Sequence, residues 1–387
     1  MPVIPYGRQS ISPQDIQAVV AALQSDWLTQ GPAIERFEQG VAAYCGAKHA
    51  VAVSSATGAL HIACKAAGLA PGDLCWTSPN SFVASANCAL YCGAAIDFVD
   101  IEADTYNMDT DLLEAKLVSA AKAGKLPKVV IPVHFGGQSC RMDRIGELAE
   151  RYGFTVIEDA SHAIGGSFAG QKVGGCAHAS MTVFSFHPVK IITTGEGGMV
   201  TTNDAGLKRR LERLRSHGIT REESEMRSPS PGPWYYEQIE LGFNYRITDI
   251  QAALGLSQLS RIDAFIARRA EIADLYDSLL KGLPLALPHR DPRAISAWHL
   301  YPIRLEPERG APPRDRVFKG LRAGGIGVNV HYQPIPAQPF YRGLGFSPAD
   351  FPRACAYYEQ AISLPLFADL TRKEAEKVVE LLKTQLI

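Results

Sequence analysis

A single lysine set between two apolar, strand-like runs is the first residue in this chain that asks for a chemical explanation. In "SMTVFSFHPVKIITTGEGGMVTT", Ser180 to Thr202, Lys190 is followed, after Ile191 and Ile192, by small, polar and glycine residues. Lysine is rarely buried, because desolvating an ammonium costs on the order of several kcal/mol unless something compensates. Upstream, "FTVIEDASHAIG" reads as an apolar strand ending in Glu158 and Asp159, with His162 just beyond. In open parallel sheets ligands sit outside the carboxyl ends of strands, which aims Asp159 into such a crevice. Further upstream, "VAVSSATGALHIACKAAGL" is a strand, a turn of small residues and a helix, so the N–H groups near Thr57 and Gly58 form a helix N-terminus suited to a phosphate. It has too few glycines for a Walker loop. A lysine able to form an imine, a strand-end carboxylate to pair with a pyridinium nitrogen and an anion cradle are the three things pyridoxal 5'-phosphate requires of a protein.

Each piece alone has a plainer reading. Lys190 could reach water from a strand end, Asp159 could cap a helix or turn, His162 could be a satisfied structural histidine, and "SSATG" is a common helix start. Their coincidence on one parallel sheet, in this order, is what favours the cofactor.

Positioning these residues requires a particular set of elements. From about residue 50 to 215 apolar runs alternate with amphipathic segments, a βαβ rhythm that predicts a mostly parallel sheet covered by helices. The strands are "HAVAVSS", "LCWTSP", "AIDFVDI", "KVVIPVH", "FTVIEDA", "MTVFSF" and "GGMVTTN", with helices such as 57–68 and 145–152 between them. After Ile250, "QAALGLSQLSRIDAFIARRAEIADLYDSLLKGL" has the spacing of one long helix leading to a second unit. The expected division is a large domain over 12–250 and a smaller C-terminal α/β domain over 251–387, with residues 1–11 near the latter. Arg221 to Trp234, rich in charge, Ser and Pro, reads as a surface loop.

Composition narrows the classes. The 387 residues carry 39 basic and 40 acidic side chains with no run of like charge, so neither nucleic acid nor an anionic membrane is implied as a partner. The N-terminus lacks the pattern of a signal peptide and no apolar stretch is long enough to span a membrane, which places the expected location in the cytoplasm. Eight cysteines without a CxxC pair favour buried thiols over disulfides or zinc, and no metal site is expected.

The run "EDASHAIGG...VFSFHPVKIITTGEGGMVTT", together with "SSATGAL", "SPNSFVASANCAL" and "GFNYRITDIQAALGLSQL", resembles the DegT/DnrJ/EryC1/StrS family of sugar aminotransferases over almost the whole chain. The resemblance implies the type I, aspartate aminotransferase-like fold of pyridoxal phosphate enzymes. It also implies a homodimer with shared active sites, and amino transfer from L-glutamate, released as 2-oxoglutarate, to a keto group of a nucleotide-linked sugar. Position by position, it implies Lys190 as the catalytic lysine that links the cofactor, Asp159 as the pyridinium partner and His162 as the residue near the phenolic oxygen. Phe82 would stack on the ring, Thr57, Gly58 and Ser185 would hold the phosphate, and Asn244 would reach the phosphate from the other subunit. Substrate contacts would come from Tyr6, from Asp26, Trp27, Leu28 and Thr29, and from Asn329, Val330, His331 and Tyr332. Arg246 is a candidate for the glutamate carboxylate.

A dehydrating branch of the family has histidine at the lysine position, so Lys190 favours amino transfer. "LTQGP", "RSHGI", "HLYPI", "GIGVNVHYQPIP" and "AISLPLF" most resemble the C4 aminotransferases of the pseudaminic acid pathway. Their UDP-linked keto sugar is UDP-2-acetamido-2,6-dideoxy-β-L-arabino-hexos-4-ulose. Enzymes acting on other 4-keto sugars share much of this pattern. A regulator that binds the cofactor without turnover would need a DNA-reading module, and a desulfurase a cysteine in the 221–234 loop; the sequence offers neither.

Overall fold

A computed structural model describes residues 3–386, leaving residues 1, 2 and 387 of the two expected spans outside the described residues. Its centre is a seven-stranded sheet. The first five strands in the chain, β1 (His49–Val53), β2 (Leu74–Thr77), β3 (Ala95–Phe98), β4 (Val129–Ile131) and β5 (Thr155–Asp159), are followed by Met181–Ser185 and Gly198–Thr202. Across the sheet the order is β1, 198–202, 181–185, β5, β4, β2, β3. Every pairing is parallel except those of 198–202, which runs antiparallel to both neighbours. These are the seven runs read from the sequence. They are rich in Val, Ile and Phe because both faces are covered by helices.

The helices begin and end where local chemistry dictates. In α1 (Pro13–Leu23) Ser12 caps the Asp15 amide and Asp15 reciprocates, with proline at the first helical position where no N–H is needed. α2 (Pro32–Cys45) also begins with proline but follows Gly31, with the distant Asp249 carboxylate accepting the Gly31 and Ala33 amides, and stops at Gly46, whose φ of 76° an L side chain tolerates poorly. α3 (Ala56–Ala66) and α4 (Ala84–Tyr91) pack on the sheet beside the ends of β1 and β2, α5 (Thr110–Ala123) and α6 (Met142–Tyr152) flank β4, and α7 (Ala205–Arg215) follows the sheet.

The single helix expected after Ile250 is two: α8 (Asp249–Leu259) and α9 (Ile262–Leu280). No Gly or Pro marks the break. Ser260 Oγ donates to the Ser257 carbonyl at 2.6 Å, and the Arg261 guanidinium is drawn to the fully buried Asp15 carboxylate, leaving Arg261 at φ −111°. α8 packs on α1 and α2, whereas α9 runs onto a second sheet. That sheet has three antiparallel strands, Leu285–Ala286, Tyr301–Leu305 and Ala361–Leu364, covered by α10 (Arg314–Ala323) and the helix Arg372–Leu386. Ile4 bridges to Ile326 at its margin, exchanging backbone hydrogen bonds with Gly325 and Gly327. The 221–234 segment forms the largely exposed arm between the two-residue strands Ile219–Thr220 and Glu237–Gln238. All eight cysteines are free thiols, and among the described residues no helix is long and apolar enough to cross a membrane.

Candidate active site

The carboxyl ends of β1, β5 and 181–185 open onto a cavity of about 610 Å³, closed from the other side by residues 329–333. Lys190, Asp159, His162, Ser185, Thr57, Phe82, Tyr6, Asn329, Val330, His331 and Tyr332 all line it, drawn together from six separate segments.

Asp159 ends β5 with both oxygens engaged. Ser85 Oγ donates to Oδ2 at 2.6 Å, while Ser161 donates to Oδ1 from its amide at 3.1 Å and from Oγ at 2.6 Å. Three donors fix the plane of the carboxylate. Lys190 follows strand 181–185, its amide bonded to the His187 carbonyl. Burial pushes its amine down to about 8, against the opposing pull of Asp159. No described group accepts a hydrogen bond from its Nζ.

The anion end is built by close backbone approach. Ser55 caps α3, its Oγ accepting the Gly58 amide at 3.1 Å, which leaves the amides of Ala56 and Thr57 without intrahelical acceptors. Gly198, paired between Val53 and Ser185, has no side chain for a steric reason: a Cβ there would stand 2.6 Å from the Ser55 carbonyl and 2.7 Å from the Ala56 nitrogen. This glycine lets the helix N-terminus sit against the strand that carries Ser185. Gly58 does not line the cavity; it packs under the ring of Tyr245.

His162 is buried and its tautomer is set by geometry. The Gly136 amide donates to Nδ1 at 3.3 Å, so the ring proton lies on Nε2, 3.2 Å from the Tyr332 hydroxyl. Burial, then the nearby Lys190 and His331, holds its pKa well below the usual imidazole value, so the ring is neutral. His331 is held likewise: burial and Lys190 push it down to about 3, with Nδ1 bonded to Ser363 Oγ at 2.8 Å and Nε2 beside Asn329 Nδ2 at 3.4 Å. Burial raises the phenols of Tyr6 and Tyr332. Phe82 leaves 59% of its surface open, an apolar face on the cavity wall.

The other sequence candidates lie elsewhere within the chain. Asp26, Trp27, Leu28 and Thr29 form an exposed loop whose end pairs with Thr248 and Asp249, and Asn244 is exposed opposite Ser216; none of these, nor Arg246, lines the cavity. Conversely, Ser85, Ser161, Ser55 and His187 line it without having been singled out from the sequence. The spacing of Ser81 and Ser85, one turn apart with their hydroxyls 2.7 Å from each other, and the Asp-Ala-Ser step after β5 were available signals.

The residues fit pyridoxal phosphate. A lysine without a hydrogen-bond acceptor faces a triply hydrogen-bonded carboxylate across a cavity with a helix N-terminus at one end, and a flat aromatic face lies open. Among the described residues no group of side chains is arranged to hold a metal ion.

Comparison with known proteins gives the family. The model of the DegT/DnrJ/EryC1/StrS aminotransferase family matches residues 9–383. The spore coat polysaccharide biosynthesis protein SpsC of Bacillus subtilis is 40% identical over 380 residues, 97% of this chain and 95% of that one. A UDP-4-amino-4,6-dideoxy-N-acetyl-beta-L-altrosamine transaminase of Campylobacter jejuni is 38% identical over 382 residues, 98% of this chain and 96% of its own. Among solved structures, Helicobacter pylori PseC, an aminotransferase involved in the biosynthesis of pseudoaminic acid, has a TM-score of 0.90 at 31% identity and covers 99% of both chains. Spr1654 from Streptococcus pneumoniae in its PLP-form has a TM-score of 0.88 at 31% identity, covering 99% of this chain and 98% of that one. The chain belongs to the DegT/DnrJ/EryC1/StrS aminotransferase family.

Proposed function

We propose that this member of the family uses pyridoxal phosphate to move the amino group of L-glutamate to the C4 keto group of a UDP-linked 4-keto-6-deoxy-N-acetylhexose. The specific sugar is UDP-2-acetamido-2,6-dideoxy-β-L-arabino-hexos-4-ulose, the substrate of pseudaminic acid biosynthesis. The observation that carries the reading is Lys190 and Asp159 facing one cavity, with the capped N-terminus of α3 at its edge.

When bound, the cofactor supplies an aldehyde that takes up the amino group and a ring that accepts the electron pair left by a departing proton. The chain's residues do the rest. The amides of Ala56 and Thr57, the Thr57 hydroxyl and Ser185 bind the phosphate, with Gly198 letting the helix start sit close. Asp159, oriented by Ser85 and Ser161, holds a proton on the ring nitrogen. Lys190, whose amine is brought to about 8, takes the proton from the donor's α-carbon and later returns one to the sugar's C4. His162 offers Nε2–H as a neutral donor toward the phenolic oxygen, and Phe82 covers the ring face. Tyr6, Asn329, Val330, His331 and Tyr332 line the mouth where the sugar would enter. In this reading a twofold partner supplies Asn244 and the Asp26–Thr29 loop, and the large and small domains divide near residue 250.

A sibling 4-keto nucleotide sugar is the second reading, kept in view because SpsC, named for spore coat polysaccharide biosynthesis, is 40% identical to this chain against 38% for the altrosamine transaminase. The test is incubation with UDP-4-keto sugars and L-glutamate, with the product's ring carbon and stereochemistry read by NMR. A 4-amino product only from the β-L-arabino substrate supports the first reading; preference for another 4-keto sugar replaces it with the second.

A further inference from the structure

Two buried residues behind the cavity have no place in the chemistry above. Arg269, in the middle of α9, is 1% exposed and faces no carboxylate. Its Nη1 donates to the carbonyls of Trp298 at 3.2 Å and Leu366 at 2.9 Å and lies 3.5 Å from that of His299; its Nε has no partner. Burying a guanidinium against carbonyl dipoles alone is expensive, so its retention calls for a reason beyond packing. His299, 4% exposed, is also unusual: its Nδ1 is buried with no hydrogen-bond partner, and it is not among the residues lining the cavity.

What His299 does touch is His162. The two rings lie 4.3 Å apart at 45°. The backbone around them is tightly laced. Gly136 accepts the Leu300 amide and Gly137 the Ala297 amide, while the Gly136 amide is the donor that sets the His162 tautomer. A Cβ on Gly137 would stand 2.7 Å from the Trp298 nitrogen and 3.1 Å from the His162 carbonyl, so this junction admits no side chain. The ring of His162 is thus gripped by Gly136 on one edge, Tyr332 on the other and His299 on one face.

We propose that Arg269 and His299 are positioning residues for His162. The guanidinium ties the Trp298 carbonyl, just ahead of Tyr301–Leu305, to the Leu366 carbonyl, just past Ala361–Leu364, and the His299 ring held between them is the wall that keeps His162 in register with the Gly136 amide, presenting Nε2–H to the cavity. Lys190 and Arg269 are the cations facing this imidazole pair, with His331 the third ring and Asp159 the carboxylate of the same cavity. Burial first, and these neighbouring charges after it, keep all three rings neutral, and the wall works by shape rather than by carrying protons.

The inference rests on the cofactor reading only for its optical arm, since the other arm uses ligand-free protein. In histidine-15N-labelled protein, the His162 signals, assigned by their loss in His162→Asn, show a single Nε2–H tautomer. His299→Ala and Arg269→Met move both nitrogens toward averaged values, and His299→Phe, which restores a flat wall without a titratable nitrogen, returns the wild-type pattern. In loaded protein the pH midpoint of the visible band moves by about half a unit or more in His299→Ala, and not further when that change is added to His162→Asn. Unchanged His162 nitrogens in a folded His299→Ala, or a Phe variant as perturbed as the Ala variant, overturns the proposal. Should His299→Ala fail to fold, His299→Leu takes its place, and identical behaviour of Leu and Phe overturns it equally. A chain whose nitrogens respond as expected but which takes up no cofactor refutes the proposed function and leaves this inference standing.

Discussion

Replacing Gly198 by alanine tests the phosphate cradle without touching any group that would contact the cofactor. The new methyl would lie 2.6 Å from both the Ser55 carbonyl carbon and its oxygen, and these are backbone atoms that cannot rotate away. To restore van der Waals distance the start of α3 must retreat by roughly 0.8 Å. Overpacking of this kind costs about 1–3 kcal/mol of stability. The larger effect falls on ligand binding, because the amides of Ala56 and Thr57 would no longer reach an anion held by Ser185. Losing one or two charge-assisted hydrogen bonds and part of the helix-end field removes about 2–3 kcal/mol, or about 30- to 150-fold in affinity. The assay is fluorescence titration of ligand-free protein with pyridoxal phosphate and, separately, with pyridoxal. The expected result is a large loss for the phosphorylated ligand and little change for the other. Equal losses, or an affinity for the phosphate form within twofold of wild type, would show that the N-terminus of α3 is not the phosphate site.

Lys190 sets a pH signature in ligand-free protein: with its amine at about 8, the neutral fraction at pH 7 is about a tenth rather than about one in three thousand. The rate of cofactor uptake should rise about tenfold per unit up to pH 8 and level above it, and a rise continuing past pH 10 would refute the assignment. Because the unfolded chain holds that proton more tightly between pH 8 and 10.5, this group's contribution to stability improves as pH rises through that window, measurable as a Lys190-dependent slope in denaturation midpoint. On the far face of β5, Glu158 is buried and bonds His134 Nε2 at 2.6 Å, so Glu158→Ala should cost about 3–5 kcal/mol in a denaturation series while Glu158→Gln costs far less; equal small losses would show the pair is dispensable. If Asn244 completes the partner's site, mixing Lys190→Ala with Asn244→Ala under verified subunit exchange should restore about a quarter of wild-type turnover, since half the dimers then hold one intact site. Lys190→Ala mixed with Asp159→Ala, lesions of one site, should stay inactive, and no difference between the two mixtures rules out the shared site.

The sheet was legible because its signal is local. Seven runs of β-branched and aromatic residues, each ended by small or polar residues, are what buried strands look like, and Asp159 and Lys190 stand out because a charge at the end of such a run is costly. The division of α8 from α9 was not legible, since its cause is the pull of Asp15 on a guanidinium 246 residues away, which leaves the apolar spacing uninterrupted. Ser85 and Ser161 fall between these cases. Their spacing from Ser81 and Asp159 was readable, but a serine near a carboxylate gains meaning only once the carboxylate is known to need donors.

Arg269 and His299 mark the limit of such reading. An arginine in the middle of an amphipathic helix is normally taken for its solvent face, where its cost is nil, and "AWHLYPI" reads as the start of a strand in which the histidine has no assigned side. Only the fold reveals that α9 carries that arginine inward, onto the Trp298 carbonyl beside His299 and the Leu366 carbonyl beyond Ala361–Leu364. The cost of burying an uncompensated cation is therefore spent at the boundary between the two sheets, where the second unit must hold His162 of the first. Strand-end charges show where chemistry happens because they are expensive locally, whereas the groups that keep such chemistry in register are expensive only in three dimensions, so a buried ion with no partner is the better guide to them.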